Sequence, residues 1–242
     1  MQLINNLYAY IWSGRGNNCH TYLFRGILKG AKPHLIIDPG YNVNELGERC
    51  FERLVGLMAQ DGIRPDDIGL IINTHSHVDH CGASEALATL GEQRALITLT
   101  KTEDEYRRST GLQLHKLIGL RLEEFEPDFY LKEGTLTLEN GNDRFDLEII
   151  DTPGHCPGSL SVYDPQNRAL ITGDAVFNRS VGRTDFPGGD GKILKSSIEK
   201  LAQYEADYFL PGHNTEFGNI IQGREQVKAN FNFIRQYFFP ML

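Results

Sequence analysis

The stretch Thr74–His80 reads Thr-His-Ser-His-Val-Asp-His, and four of its seven side chains can bind a metal ion. It follows, after Asn73, the apolar run Leu70–Ile72, which is typical of the end of a buried strand. The segment Ser84–Leu90 has a helical pattern, so the metal-binding side chains lie on a strand-to-helix connection. A single histidine is most often structural, but three imidazoles and a carboxylate packed together without a partner would lose hydration and gain little. The stretch therefore predicts a metal site, and its nitrogen and oxygen ligands suit zinc, iron or manganese.

Three later segments repeat this pattern, in which an apolar strand ends and a potential metal ligand follows. The pairs of strand and ligand are Ile149–Ile150 with His155, Leu170–Ile171 with Asp174, and Tyr208–Leu210 with His213. Of the eight histidines in the chain, five lie in the four loops. Seven candidate ligands are too many for one tetrahedral ion. They suit two ions about 3.5–4 Å apart that share a carboxylate and a solvent oxygen, a pair that activates a bridging hydroxide at neutral pH.

Asp38 follows the predicted strand Leu35–Ile37 and begins the sequence Asp-Pro-Gly. One interpretation is a turn former, because these three residues are favoured in turns. The other is a carboxylate that orients a ligand histidine. The sequence favours neither interpretation over the other.

Length, charge and cysteine usage restrict the class of protein. The chain has 242 residues without a repeat or linker, so we predict one domain spanning residues 1–242. Acidic residues exceed basic ones by 32 − 24 = 8 and no basic block stands out, which argues against a nucleic-acid partner. No apolar run is long enough to cross a membrane, and the N-terminus lacks a signal-peptide pattern. The four cysteines have no CxxC spacing, which favours reduced thiols and a cytoplasmic location.

Residues 102–125 have apolar side chains at helical spacing, and Thr102 with Glu105 matches a capping box. The segment is either a packed helical pair or a lid over the site, with Tyr106 or His115 facing the substrate. We favour packing for these two residues, because His115 has no partner ligand nearby in the sequence.

The last predicted helix, residues 219–238, is apolar on more than one face. The first interpretation is that this helix docks into the core of the chain. The alternative is a subunit contact in a homodimer.

The pattern His75-x-His77-x-Asp79-His80 and its downstream ligands resemble the metallo-β-lactamase superfamily. The resemblance implies the α/β class and a four-layer αββα sandwich, in which the segment near residues 102–125 is a helical insertion. It implies two divalent cations, with zinc as the first choice and iron or manganese as alternatives. The roles it implies are His75, His77 and His155 on the first ion, Asp79, His80 and His213 on the second, Asp174 as the bridge, and Asp79 and His80 as catalytic residues.

The segments Gly173–Phe177 and Gly182–Asp190 are similar to glyoxalase II-like thioesterases and to persulfide dioxygenases. Both groups act on glutathione-type thiol derivatives. The resemblance implies a small-molecule substrate, a thioester or related ester, attacked by a hydroxide that bridges the two metals. It also makes Arg183 a candidate contact for an anionic substrate. A structural pairing of Arg183 with Asp185 or Asp190 is an equal alternative.

Two other functions fit the same residues. A persulfide dioxygenase would use His75, His155 and Asp174 to bind one iron, a facial triad with open positions for oxygen. A metal-binding module without catalysis would use the same ligands and turn over no ester or thioester.

Overall fold

The computed structural model describes residues 1–113 and 124–242. The predicted fold class is confirmed as a mixed α/β fold with two large sheets and helices. Within the described residues there are two compact units. The N-terminal unit comprises residues 1–99, 124–130 and 137–146, and the C-terminal unit comprises residues 100–113, 131–136 and 147–242. Residues 114–123 of the predicted helical segment, with His115, lie outside the described residues.

The first large sheet has seven strands that follow one another in chain order. They are β1 (Gln2–Ile4), β2 (Leu7–Tyr10), β3 (Thr21–Phe24), β4 (His34–Ile37), β5 (Ile68–Ile72), β6 (Leu96–Thr100) and β7 (Phe129–Leu131). Strands β1 to β4 pair antiparallel, whereas β4, β5 and β6 are parallel. Parallel strands end at the same edge of a sheet. Because Ile37 lies opposite Ile72, Asp38 comes to the edge where the metal-binding stretch begins.

Helices in the N-terminal unit pack against this sheet. They are α1 (Cys50–Gln60), a 3₁₀ turn (Pro65–Asp67), α2 (Val78–Cys81) and α3 (Ser84–Ala88). Leu54 and Met58 of α1 and Leu87 of α3 are buried in one cluster with Ile36 and Ile71 of the sheet. Each such side chain contributes about 1.5–3 kcal/mol on burial, which fixes the helices against the strands.

The helical pattern over residues 45–60 makes Asn44 a candidate N-cap, and this prediction is wrong. Asn44 does not cap α1, which begins six residues later at Cys50. Its side-chain oxygen instead accepts hydrogen bonds from the backbone N–H groups of Leu46 and Glu48, at 3.1 and 3.0 Å. Asn is as well suited to such a turn as to a helix cap, so its presence alone does not locate the helix start.

The second large sheet has six strands in the order β15-β14-β11-β10-β9-β8, beside a separate two-stranded pair, β12 and β13. The strands are β8 (Gly134–Asn140), β9 (Asp143–Asp151), β10 (Leu160–Asp164), β11 (Ala169–Gly173), β12 (Val176–Phe177), β13 (Ser180–Val181), β14 (Tyr208–Pro211) and β15 (Ile221–Gln222). Strand β10 is antiparallel to both β9 and β11, and β11 is parallel to β14. Strands β9, β11 and β14 therefore run in the same direction, and the loops with His155, Asp174 and His213 leave from the same ends of these strands.

Helices in the C-terminal unit are α4 (Lys101–Tyr106), a π-helical turn (Arg107–Gly111), α5 (Gly191–Leu201) and α6 (Arg224–Tyr237). The N-cap of α4 is Thr100 and not the predicted Thr102. A second hydrogen bond, to a residue outside the helix, holds the Thr100 side chain in this position. Its hydroxyl accepts from the Glu103 N–H at 3.1 Å and donates to the Gly158 carbonyl at 2.7 Å.

The last helix docks into the core of the C-terminal unit, as the first interpretation predicts. Val227, Phe231 and Ile234 of α6 are buried in one cluster with Leu194 of α5 and Phe209 of β14. The homodimer contact stays a prediction. Among residues 1–113 and 124–242, no helix has both the length and the apolar character needed to span a bilayer.

Two glycines allow a test of packing beside the His155 loop. Gly154 has φ +128°, and a Cβ atom there would lie 2.6 Å from Leu194 Cβ. Gly134 has φ +133° and nothing within 4 Å of such an atom. We expect Gly134→Ala to lower the free energy of unfolding by about 1–3 kcal/mol through backbone strain alone. Gly154→Ala should cost about 1–3 kcal/mol more, because the methyl group also overpacks the start of α5. Urea denaturation of the two variants measures the difference, and equal losses would contradict this account of the loop.

Candidate metal centre

The N-terminal unit contributes His75, His77, Asp79 and His80, which lie between the end of β5 and helix α2. His75 and His80 are fully buried and Asp79 is 8% exposed. The Nε2 atom of His75 and the Nδ1 atom of His77 are 3.1 Å apart, and the ring centroids of His75 and His80 are 4.1 Å apart. Such close packing of buried imidazoles is costly unless a ligand satisfies their nitrogen atoms.

The carboxylate of Asp38 fixes the orientation of two of these histidines. Its Oδ2 atom accepts a hydrogen bond from His80 Nδ1 at 2.8 Å and from the Thr74 hydroxyl at 2.7 Å. Because that hydroxyl donates its one proton to Asp38, it accepts the bond from His75 Nδ1 at 3.0 Å. Both imidazoles therefore carry the proton on Nδ1, which leaves Nε2 unprotonated. This is the tautomer in which Nε2 can bind a metal.

Asp38 combines the two roles that the sequence leaves open. Its backbone has φ +53°, a conformation found mainly in turns. Its backbone N–H donates to the Ile72 carbonyl at 3.0 Å, and its Oδ1 atom accepts from the Thr74 N–H at 2.7 Å. The turn therefore places the carboxylate beside the predicted metal-binding stretch, where it accepts hydrogen bonds from Thr74 and His80.

Asp79 has a partner that the sequence analysis missed. The amide of Asn17 donates a hydrogen bond to Asp79 Oδ2 at 2.6 Å, and the Cys19 N–H donates to the Asp79 carbonyl at 3.2 Å. Asn17 lies in the turn before β3, and turn composition was its only sequence signal. The contact fixes one carboxylate oxygen of Asp79.

The C-terminal unit contributes His155, Asp174 and His213, each from a loop after one of its strands. Asp174 Oδ2 lies 3.6 Å from His155 Nε2 and 3.5 Å from His213 Nε2. His155 Nδ1 donates to the Arg183 carbonyl at 2.8 Å, so Nε2 is again the nitrogen free of a proton.

These separations fit ligands of a common ion. Two atoms each about 2.05 Å from a tetrahedral metal lie roughly 3.3 Å apart. The Asp174 distances in the C-terminal unit and the 3.1 Å between His75 and His77 in the N-terminal unit lie close to that value. Nitrogen and carboxylate oxygen are also the donor types that zinc and iron accept. Each ligand set therefore suits a divalent cation.

Gly182 lies where the chain passes very close to two of the candidate ligands. A Cβ atom at this position would collide with the backbone carbonyl of Asp174 and lie 3.3 Å from His155 Cβ. Only glycine lets the β13 segment approach both ligands this closely.

Arg183 forms the ion pair that the sequence analysis gives as one of two alternatives. Its guanidinium donates two hydrogen bonds to Asp185, both 2.7 Å long, and lies 3.8 Å from the ring centroid of Phe186. The hydrogen bonds from Arg183 lower the pKa of Asp185 to about 2. Contact with an anionic substrate stays a prediction.

All seven predicted ligands are among the side chains that could hold a metal ion, and so is Cys156. Cys156 is a buried thiol next to a histidine in the chain, and such a thiol has no distinguishing pattern in the sequence. Two other histidines have structural contacts: His20 Nδ1 accepts from the Trp12 N–H at 3.1 Å and His34 Nδ1 from the Gly26 N–H at 3.0 Å. Burial lowers the pKa of His34 and keeps that ring neutral.

Comparisons with known proteins assign the chain to one family. The family described as the metallo-β-lactamase superfamily matches residues 14–213. The probable metallo-hydrolase MJ0888 of Methanocaldococcus jannaschii is 33% identical over 83% of this chain and 90% of its own length. The hydroxyacylglutathione hydrolase GloC of Haemophilus influenzae is 30% identical over 74% of this chain and 79% of its own.

Solved structures agree on the fold. The crystal structure of BLEG-1, a B3 metallo-β-lactamase, matches with a TM-score of 0.71 and 27% identity, over 94% of this chain and 99% of the other. The crystal structure of TTHA1623 in a di-iron-bound form matches with a TM-score of 0.67 and 25% identity, over 97% of this chain and 100% of the other.

The Asp38 network predicts a loss of metal affinity on substitution. In Asp38→Asn, an amide N–H₂ group replaces one acceptor and opposes the donors of His80 or Thr74. We expect affinity for zinc to fall by about 10–100-fold, the usual cost of losing the partner of a metal ligand. Competition titration with a chromogenic chelator measures this. Asp164→Asn is the control, because Asp164 is equally buried but accepts its bonds from Gln166 and Asn167 in a turn. Equal zinc affinity in Asp38→Asn and the unmodified protein would contradict the orienting role.

Proposed function

Because the chain belongs to the metallo-β-lactamase superfamily, a superfamily of metal-dependent hydrolases, we propose that it hydrolyses a thioester at a centre of two divalent cations. The observation that carries this proposal is the preorganisation within each unit. Histidines of both units have Nδ1 fixed by a hydrogen bond, and their Nε2 atoms lie next to further ligand types.

The proposed centre uses all seven predicted ligands. In this proposal His75, His77 and His155 hold one cation, Asp79, His80 and His213 hold the other, and Asp174 is shared between them. Each cation would have three ligands of its own, the shared carboxylate and a shared solvent oxygen, so that each would be five-coordinate.

When bound, the pair of cations supplies a hydroxide at neutral pH and an electrophile for the thioester carbonyl. The chain's own residues orient the side chains that would hold these cations. Asp38 holds the Nδ1 protons of His80 directly and of His75 through Thr74, so these rings keep one tautomer. The carbonyl of Arg183 does the same for His155, and the amide of Asn17 holds one carboxylate oxygen of Asp79. The assignment of Asp79 and His80 as catalytic residues is part of this proposal.

A thioester is the proposed substrate for two reasons. GloC, whose name gives a hydroxyacylglutathione as its substrate, is 30% identical to this chain. The segment Gly182–Asp190, which resembles glyoxalase II-like thioesterases, lies beside the ligands, since Gly182 contacts Asp174 and His155. A thiolate is a good leaving group, so the chain needs no general acid beyond the metal centre.

Zinc or iron is the proposed metal. Imidazole suits both ions, and a shared carboxylate suits iron, manganese or zinc. TTHA1623, which shares the fold at 25% identity, was crystallised in a di-iron-bound form.

Elemental analysis of the purified protein, together with an assay for S-lactoylglutathione hydrolysis, tests the proposal. We expect two metal ions per chain and hydrolysis that does not consume oxygen. One iron per chain with oxygen uptake on a persulfide substrate would instead support the dioxygenase alternative, and bound metal with no turnover would support a non-catalytic module.

The variant His77→Ala separates a two-metal hydrolase from a one-iron oxygenase. Removing a ligand should reduce thioester hydrolysis by more than about a hundredfold, because losing only the partner of a ligand already costs 10–100-fold. An enzyme that uses the triad of His75, His155 and Asp174 would keep its iron. The control is His34→Asn, in which the amide oxygen can still accept the bond from the Gly26 N–H. Full thioesterase activity in His77→Ala would contradict the two-metal mechanism.

A further inference from the structure

A cavity lies in the C-terminal unit, beside the loops that carry Asp174 and His213. Its volume is about 470 Å³, within the range of about 300–1,000 Å³ typical of small-molecule sites. The lining combines a cation, aromatic rings and carboxamides. The residues that matter here are Asn178, Arg179, Phe217, Gln222, Gln226 and Phe233.

Arg179 is the charged group of this cavity. Its guanidinium carbon lies 5.3 Å from the ring centroids of both Phe217 and Phe233. Within the part of the chain that the structure describes, no carboxylate forms an ion pair with it, unlike Arg183 with Asp185. Arg179 therefore offers the guanidinium to an anion, and phosphate is the anion whose geometry this group matches best.

The backbone holds Arg179 in place. The residue has φ +52°, a strained conformation for a side chain of this size. Its N–H donates to the side-chain oxygen of the buried Asn230 at 2.7 Å, and the Asn230 amide donates to the Phe177 carbonyl at 3.0 Å. A buried amide thus fixes the turn that presents the guanidinium to the cavity, which marks it as a built feature.

The remaining lining suits a planar, hydrogen-bonding ring. Phe217 is 47% exposed, so part of its ring is open for stacking. The exposed carboxamides of Gln222 and Gln226 each offer both a donor and an acceptor, as the edge of a nucleobase requires. Aromatic stacking with hydrogen bonds to the edge of the ring is the usual way in which proteins bind such bases.

The cavity is tied to the ligand loops by two hydrogen bonds. The Asn178 amide donates to the Phe217 carbonyl at 3.1 Å, and the Thr215 hydroxyl donates to the Asn178 carbonyl at 2.7 Å. Asn178 follows Asp174 by four residues, and Phe217 follows His213 by the same interval. The ring of Phe177, which directly precedes Asn178 in the chain, lies 5.9 Å from the ring of His213.

From these features we infer that the cavity binds the adenine nucleotide of a coenzyme A thioester. The inference rests on the proposed thioester hydrolysis, which it deepens by naming the class of thiol carrier. The base stacks on Phe217 and bonds to the glutamine carboxamides, and a phosphate pairs with Arg179. The flexible pantetheine arm of this carrier joins its nucleotide to the thioester, so the nucleotide binds apart from the metal ligands. Glutathione, which has neither a base nor a phosphate, leaves the cavity unused.

Calorimetric titration of the purified protein with adenosine 3′,5′-bisphosphate tests the site without relying on turnover. We expect saturable binding that weakens by about tenfold or more in Arg179→Asn, because a hydrogen bond to a charged group is lost. Asparagine tolerates a positive φ, so this variant keeps the turn. Phe217→Ala should weaken binding by about fivefold or more through lost stacking. The control is Lys228→Ala, which removes a positive charge of α6 that is paired with Glu225.

Kinetics with matched substrates provide the second measurement. For an acyl-coenzyme A, Arg179→Asn should raise KM by about tenfold and leave kcat unchanged, whereas neither constant should change for the corresponding S-acyl pantetheine.

Unaltered KM values in Arg179→Asn, or binding of the bisphosphate no tighter than that of inorganic phosphate, would overturn the inference while leaving the thioesterase proposal intact. Binding of the bisphosphate without hydrolysis of any thioester would overturn the thioesterase proposal and support the nucleotide site. A change in sedimentation mass as the only effect of Arg179→Asn would assign the cavity to a subunit contact and overturn the inference.

Discussion

The carboxylate of Asp38 is the constraint on which the ligand set of the N-terminal unit depends. It is 2% exposed, and it accepts bonds from the backbone of the metal-binding stretch, from Thr74 and from His80. A buried carboxylate is stable only when its oxygens accept hydrogen bonds. The loss of any one of these donors would therefore destabilise the carboxylate, and this keeps the donors in place. The positions of the His80 and His75 rings follow from this one group.

Strand direction explains why such contacts form between distant parts of the chain. Parallel β4 and β5 bring Asp38 and Thr74 to the same edge although 36 residues separate them. In the C-terminal unit, β11 and β14 are parallel and end at Gly173 and Pro211, so Asp174 and His213 leave neighbouring strands together. The backbone therefore brings the ligand types together, and short side-chain networks then select the nitrogen that each histidine presents.

Much of this arrangement is predictable from the sequence, because buried strands that end in ligand residues have a strong local pattern. The apolar runs before His75, His155, Asp174 and His213 all prove to be strands in the structure. The same strand pattern located Asp38, although turn chemistry and ligand orientation are indistinguishable in Asp-Pro-Gly. Only the structure shows that one residue performs both functions.

Other features depend on contacts that local patterns do not encode. Thr100 rather than Thr102 caps α4, because its hydroxyl also bonds to Gly158, which lies 58 residues away. Asn17 holds Asp79 across 62 residues, and nothing in its own turn indicates that contact. The cavity around Arg179 combines residues from three separate segments, so no single stretch predicts it. Sequence patterns thus predict the strands that precede the candidate ligands, whereas the groups that hydrogen-bond to those side chains and the surrounding surfaces require coordinates.

The central claim is that the seven predicted ligands bind one pair of cations. X-ray diffraction from crystals of the metal-loaded protein, with anomalous data recorded at the absorption edge of the bound metal, tests it most directly. The account predicts two anomalous peaks about 3.5–4 Å apart, with Asp174 bonded to both metals and the six other ligands divided between them. A single peak held by His75, His155 and Asp174, or peaks that leave Asp174 and His213 without a bound metal, would contradict it.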